Sequence, residues 1–224
     1  MQFAAIIFDM DGLVVDTETI AKITWQQAIR EFEYTISETD YLAIIGRKIP
    51  DIRNHFKNLF GADFPYEAVS ARKGELAAAH IDAHGIAVKP GLHELIDWLD
   101  ARSIPKAVAS STFRNGVMMR LRVTGLTDRF PLIVSGDDVK HGKPAPDIFL
   151  KASEMLGLPP ADCLVLEDSN PGIEAAHAAG MPAIMVPDLL IPTEQCRQWA
   201  LKILPSLVDV QAFLKSENGS DSNG

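Results

Sequence analysis

Residues Phe3-Ala4-Ala5-Ile6-Ile7-Phe8-Asp9-Met10-Asp11-Gly12 constrain the fold more than any other stretch of this chain. A short apolar run with strand propensity ends in two carboxylates, one residue apart, and a glycine. A run without polar alternation reads as a strand buried on both faces, as in a parallel sheet covered by helices. Such a strand delivers Asp9 and Asp11 to its carboxyl end. Two acids at that spacing can share a divalent cation and leave one oxygen free for chemistry.

The remainder divides into two rhythms. From Asp16 the pattern is helical: Ile20, Ile23, Ala28, Ile29 and Phe32 recur near helical spacing between polar residues. Ser37 with Asp40 reads as an N-cap signal before Tyr41-Leu42-Ala43-Ile44-Ile45. Gly46-Arg47-Lys48-Ile49-Pro50 reads as a basic turn, and residues 51–59 and 66–84 as further helices. From Pro90 strands alternate with helices. Lys106–Ala109, Leu132–Val134, Cys163–Leu166 and Ala183–Val186 are the expected strands after the first, and residues 207–214 the last helix. The expected fold class is therefore α/β: a Rossmann-like parallel sheet core with a small inserted all-helical domain. The core is assigned to residues 1–15 and 89–215, the insert to 16–88, and a disordered tail to the apolar-free residues 216–224. In such sheets ligands bind beyond the carboxyl ends of the strands. Four expected strands end at Asp9, Ser110, Asp137 and Asp168, all directed to one crevice.

The residue types at those ends suit phosphoryl transfer. Asp9 is the candidate nucleophile, since a carboxylate can attack phosphorus and split one hard displacement into two easier ones. Asp11 can give a proton to the leaving oxygen and later take one from water. Ser110 and Ser111, with neighbouring backbone N–H groups, suit phosphate oxygens, and Arg114 and Asn115 are candidate additions. Lys143 can neutralise charge on the nucleophile and the phosphoryl group. Glu167 and Asp168, with Asp9, offer the hard oxygen ligands that Mg2+ favours. Gly142-Lys143 is not a P-loop, because Pro144 stands where Ser or Thr is required. Zinc spacing and a Gly-x-Ser-x-Gly turn are both absent.

These strings resemble, in order, the four motifs of the haloacid dehalogenase superfamily: Asp9/Asp11, Ser110, Lys143 within Gly142-Lys143-Pro144-Ala145-Pro146, and Glu167/Asp168. The length and helical character of the insert are similar to the cap of the β-phosphoglucomutase-like and sugar-phosphatase branch. The resemblance implies an aspartyl-phosphate mechanism with Mg2+ held by Asp9, Glu167, Asp168 and Asp11, the last through its backbone carbonyl. The dehalogenases lack the second acid, so Asp11 points to phosphoryl transfer. The cap then implies substrate contacts from Gly46, Arg47 or Lys48, and Lys73. The related mutases carry a histidine in the first cap helix where this chain has Ala21. The expected activity is a phosphoric monoester hydrolase acting on a small phosphorylated metabolite, a sugar or polyol phosphate, with a phosphomutase as the alternative.

Composition narrows the partners. A net charge of −9 would repel nucleic acid, so none is expected. Two cysteines make no disulfide framework, and Cys163 lies in an apolar run as a small core residue. With no signal peptide or membrane-length apolar run visible, a cytoplasmic monomer without membrane contact is expected.

Overall fold

The computed structural model describes residues 3–45 and 49–219. In chain order the elements are β1 (Ala5–Phe8), α1 (Thr17–Glu31), α2 (Glu38–Leu42), α3 (Ile49–Phe60), α4 (Tyr66–His84), α5 (Leu92–Asp100), β2 (Lys106–Ala109) and α6 (Arg114–Val123). They continue with β3 (Leu132–Val134), α7 (Asp147–Leu156), β4 (Cys163–Glu167), α8 (Asn170–Ala178), β5 (Ala183–Met185), α9 (Glu194–Trp199), β6 (Lys202–Ile203) and α10 (Leu207–Gly219). Contacts divide the chain into two compact units, one of Met1–Asp16 and Ala87–Gly224, the other of Thr17–Ile86. Among the described residues no helix is long and apolar enough to cross a membrane.

The first unit is a six-stranded parallel sheet in the order β3-β2-β1-β4-β5-β6. Every residue of β1, β2 and β4 is buried, which is why, apart from Lys106 at the start of β2 and Glu167 at the end of β4, their sequences run apolar without alternation. Ala5 and Ile7 share one face with Cys163, Val165 and Met185 and pack there with Ile148, Phe149 and Ala152 of α7 and Ile173 and Ala176 of α8. Phe8 points to the other face, meeting Phe130 edge-on at 5.4 Å. The order reverses between β1 and β4, the crevice position in a doubly wound sheet. Phe8 stands level with Leu166 and with Val108, so the residues after these strands emerge side by side.

Two features differ from the sequence expectation. A sixth strand and α9 follow β5; two residues, Lys202 and Ile203, carry too little pattern to announce a strand, and pairing with Ile184 and Met185 defines it. The tail expected from Ser216 is helical through Gly219, because buried Leu207, Val210 and Leu214 anchor α10 and Ser216 Oγ donates to Phe213 O at 2.7 Å. Residues 220–224 lie outside the described residues.

The second unit is all helical. Ser37 caps α2, accepting from Asp40 N at 3.1 Å, as its spacing implies. The chain leaves that helix after Leu42, sooner than the apolar run through Ile45 suggests. Helix α1 packs on α4. The core is aromatic: Phe56 lies 5.1 Å from Trp25, 5.6 Å from Phe64 and 6.2 Å from Tyr66, and Tyr34 sits 5.0 Å from both Phe60 and Phe64. Outside it, Arg72 ties α4 to α1 through Glu31 at 2.5 Å. Phe56 is fully buried at the centre of that cluster. Phe56→Ala is expected to destabilise this unit by about 3–5 kcal/mol, read as a downshifted or separate transition in thermal unfolding.

Candidate active site

The acids converge because the strands that carry them are neighbours. Asp9 continues β1, and its N–H donates to Leu166 O of β4 at 2.9 Å. That places its carboxylate beside Glu167, the last residue of β4, and beside Asp168. Ligand oxygens of Asp9, Glu167 and Asp168 lie within 4.8 Å of one another. Two glycines make this approach possible. Gly12 has φ +88°, and a Cβ there would stand 2.3 Å from Asp168 Oδ2. A Cβ on Gly172, in the first turn of α8, would overlap the Glu167 carboxylate at 1.5 Å from Oε1.

Glu167 is held from several sides. Ser169 Oγ donates to Oε1 at 2.6 Å while accepting from Gly172 N, and Asp168 N donates to Oε2 at 3.1 Å. The Lys143 ammonium donates to Asp9 Oδ1 and, at 3.3 Å, to Glu167 Oε1, with its Nζ 4.9 Å from the Phe149 ring centroid. Burial pushes the Asp9 carboxyl up to about 8 from an ordinary 3.8, with the Glu167 charge adding to the rise and Lys143 opposing it. Burial and the charges of Glu167 and Asp9 likewise raise Asp168 well above the carboxylate range. Burial works against the charged form of Lys143, but Asp9 and Glu167 overcome it and hold the ammonium protonated. Clustered hard oxygens whose charged forms oppose one another are the donor set a hard divalent cation requires, and Asp9, Glu167 and Asp168 fit that role.

Asp11 faces a different set. Its Oδ2 accepts from Thr112 Oγ1 at 2.8 Å and from Ser110 Oγ at 3.3 Å, and its Oδ1 pairs with Arg120 Nε at 2.9 Å. Its side chain therefore stands outside the trio of Asp9, Glu167 and Asp168. Ser110 is buried after β2 and accepts from Thr112 N at 3.1 Å.

Several expected contributors are engaged elsewhere. The Arg114 guanidinium is tied to Asp138 at 2.6 Å and to Ile133 O at 3.2 Å, so it braces the end of β3 instead of reaching for phosphate. Asp137 accepts from Arg114 N at 2.9 Å and closes the start of α6; it is a helix cap, not a crevice acid. Ser111 and Asn115 are exposed, with the Ser111 carbonyl against Gly136. Lys73, in the helical unit, holds its Nζ 6.0 Å from the Trp25 ring centroid. Gly46, Arg47 and Lys48 lie outside the described residues. Thr112 and Arg120 are site residues that sequence reasoning passed over. Thr112 had a signal in the hydroxyl run after β2; Arg120 had none, because its distance from Asp11 is closed only by folding.

The family model for haloacid dehalogenase-like hydrolases matches residues 6–186. Over 197 residues, 84% of this chain and 86% of the relative, the chain is 33% identical to protein CbbY of Rhodobacter capsulatus. It is 31% identical over 185 residues to the fructose-1-phosphate phosphatase YqaB of Escherichia coli, covering 83% of this chain and 97% of that one. A crystal structure of a mutant CbbY from Rhodobacter sphaeroides with xylulose-1,5-bisphosphate matches with a TM-score of 0.76 at 26% identity, covering 93% and 96% of the two chains. The chain belongs to the haloacid dehalogenase-like hydrolases. Within them it falls in the sugar-phosphatase branch, as a phosphoric monoester hydrolase.

The packing of Gly172 against Glu167 predicts that Gly172→Ala displaces that carboxylate, costing about 1–3 kcal/mol in stability and most of the turnover; thermal melts and initial rates check both. The raised Asp9 carboxyl predicts a pH dependence in metal-free protein. Folded chains keep that proton up to about pH 8 and unfolded chains release it near 3.8, so stability falls as pH rises through that window. In chelator, melting temperature should drop between pH 6 and pH 8 more in wild type than in Asp9→Asn.

Proposed function

We propose that this protein is a Mg2+-dependent phosphatase that hydrolyses a sugar or polyol phosphate through an aspartyl-phosphate on Asp9. The observation that carries this reading is the division of labour between two acids two residues apart: Asp9 with Lys143 and the acidic trio, Asp11 with hydroxyls and an arginine.

Asp9, Glu167 and Asp168 would hold Mg2+, which supplies electrostatic stabilisation of the phosphoryl oxygens. Lys143 lowers the cost of ionising the nucleophile, which a bound cation would complete, and takes up phosphoryl charge. Ser110, with backbone N–H groups after β2, orients the phosphate. An Asp9 carboxylate oxygen attacks phosphorus in line as the ester P–O bond breaks. The electron pair of that bond goes to the ester oxygen, which takes a proton from Asp11. Asp11, now ionised, accepts a proton from water as that water attacks phosphorus. The bond from phosphorus to Asp9 breaks, and its electron pair restores the carboxylate. With Asp9, Glu167 and Asp168 ionised against Lys143 alone, an excess of two negative charges remains, which one divalent cation complements.

We read residues 17–86 as the cap that selects the substrate. Its connecting segments run paired in the core unit, where Asp16 N donates to Ala87 O at 2.9 Å and Lys89 N to Val14 O at 3.0 Å. Such a ribbon is a natural hinge. Ala21 lines a cavity of about 150 Å³ in the helical unit with Glu18, Trp25, Tyr41 and Ile52. That lining offers one carboxylate for sugar hydroxyls and no imidazole, which favours hydrolysis over the mutase alternative.

A panel of sugar, polyol and aryl phosphates, scored for free phosphate and for isomerised product, tests this. Free phosphate with Mg2+ and none with chelator is expected. Asp9→Asn should lower turnover by about 10^4-fold or more; near wild-type rates in that variant would remove Asp9 as nucleophile. Isomerised product without free phosphate would instead establish the mutase.

A further inference from the structure

Helix α6 sends one side chain back toward the site. Arg120 lies in its final turns, yet its Nε is buried and stands 2.9 Å from Asp11 Oδ1. The guanidinium occupies the space of a missing side chain. Gly116 lies one turn earlier on the same face, and a Cβ there would be 2.8 Å from Arg120 Nη1 and 2.7 Å from Thr112 Cγ2. Gly116, Thr112 and Arg120 thus form one packed group from which Arg120 Nε and Thr112 Oγ1 reach the Asp11 carboxylate. The two oxygens of that carboxylate differ: Oδ1 is on Arg120, and Oδ2 faces the hydroxyls of Thr112 and Ser110.

We propose that Arg120 is a positioning residue for phosphoryl transfer. It clamps Oδ1 of Asp11 so that Oδ2 is the oxygen that exchanges a proton with the leaving group beside Ser110. The inference rests on the reading of Asp11 as general acid and base and adds a residue to it. Arg120 is paired with Asp11 and acts through it, and Gly116 supplies its space. Without the clamp Oδ1 loses the guanidinium that fixes the carboxylate's orientation, and Oδ2, the oxygen required for proton transfer, is less firmly placed. A cationic side chain near a helix C-terminus can also be there for the helix dipole alone. The two roles differ in which reactions they affect.

The test uses aryl phosphates of graded leaving ability. p-Nitrophenyl phosphate releases a stable phenolate and needs little protonation, whereas phenyl phosphate releases a poor leaving group and depends on the acid. Arg120→Met is expected to lower kcat/KM for phenyl phosphate about tenfold or more and for p-nitrophenyl phosphate less than about threefold. Arg120→Lys should recover part of the loss. Gly116→Ala keeps the charge and only crowds the guanidinium, so it should show the same selectivity on a smaller scale with α6 intact by circular dichroism. An equal loss on both esters, or no loss on either, would overturn the proposal and leave Arg120 a structural cation. Asp11→Asn separates the two levels. If it discriminates between the esters and Arg120→Met does not, only the clamp fails; if Asp11→Asn does not discriminate, the acid role of Asp11 fails and the clamp with it.

Discussion

Everything in the core unit is arranged around the burial of one ammonium between carboxylates. Lys143 reaches Asp9 and Glu167, and all three side chains are nearly inaccessible to water. At its 3.3 Å separation, the Lys143–Glu167 attraction at an effective dielectric of 20 is about 5 kcal/mol before desolvation is subtracted. Burial raises Asp9 and Asp168, and the negative excess that a single lysine leaves among three acids adds to the rise. The excess is the property a cation and a phosphoryl group exploit together. It also explains the extra fastening of Glu167 by Ser169 and the Asp168 backbone, which spend protein hydrogen bonds on a charge water cannot reach.

The parallel sheet makes this concentration of charge feasible. Strands β1 and β4 are hydrogen-bonded neighbours in register, so the residues just past them share one level without loops to position them. Buried apolar side chains on both faces hold that level, and the strain of crowded acids is carried by a rigid support. The two glycines are the local adjustments. Gly12 lets the β1 loop pass Asp168, and Gly172 lets α8 begin against Glu167.

The strands and their end residues were legible in the chain because a doubly buried strand is apolar along most of its length, and Asp9, Glu167 and Asp168 flank such runs; Lys143, in the loop before α7, was legible only from the string Gly142-Lys143-Pro144-Ala145-Pro146. The helical insert was equally legible from its periodicity. Other parts left weaker traces. Strand β6 is two residues long and exists through its partner β5. Helix α10 outruns its apolar stretch because helical hydrogen bonding continues past the last buried leucine. Arg114 and Asp137 have the residue types of a phosphate site and a crevice acid, yet they bind the chain's own Asp138 and Arg114 backbone. A residue type states what a side chain can bond; its nearest neighbour in space decides what it does bond.

Sequence alone determined the class of fold, the acids at the strand ends and the presence of a helical insert, because these follow from periodicity and from residues adjacent along the chain. Tertiary structure decided the rest: how closely the trio's oxygens approach, that the Asp11 carboxylate turns to Thr112 and Arg120, and that Gly116 and Gly172 must lack side chains. Asp11 meets Thr112 and Arg120 across a long stretch of chain, and the two glycines are required by where a neighbouring side chain comes to rest; packing sets both, and no local pattern records it.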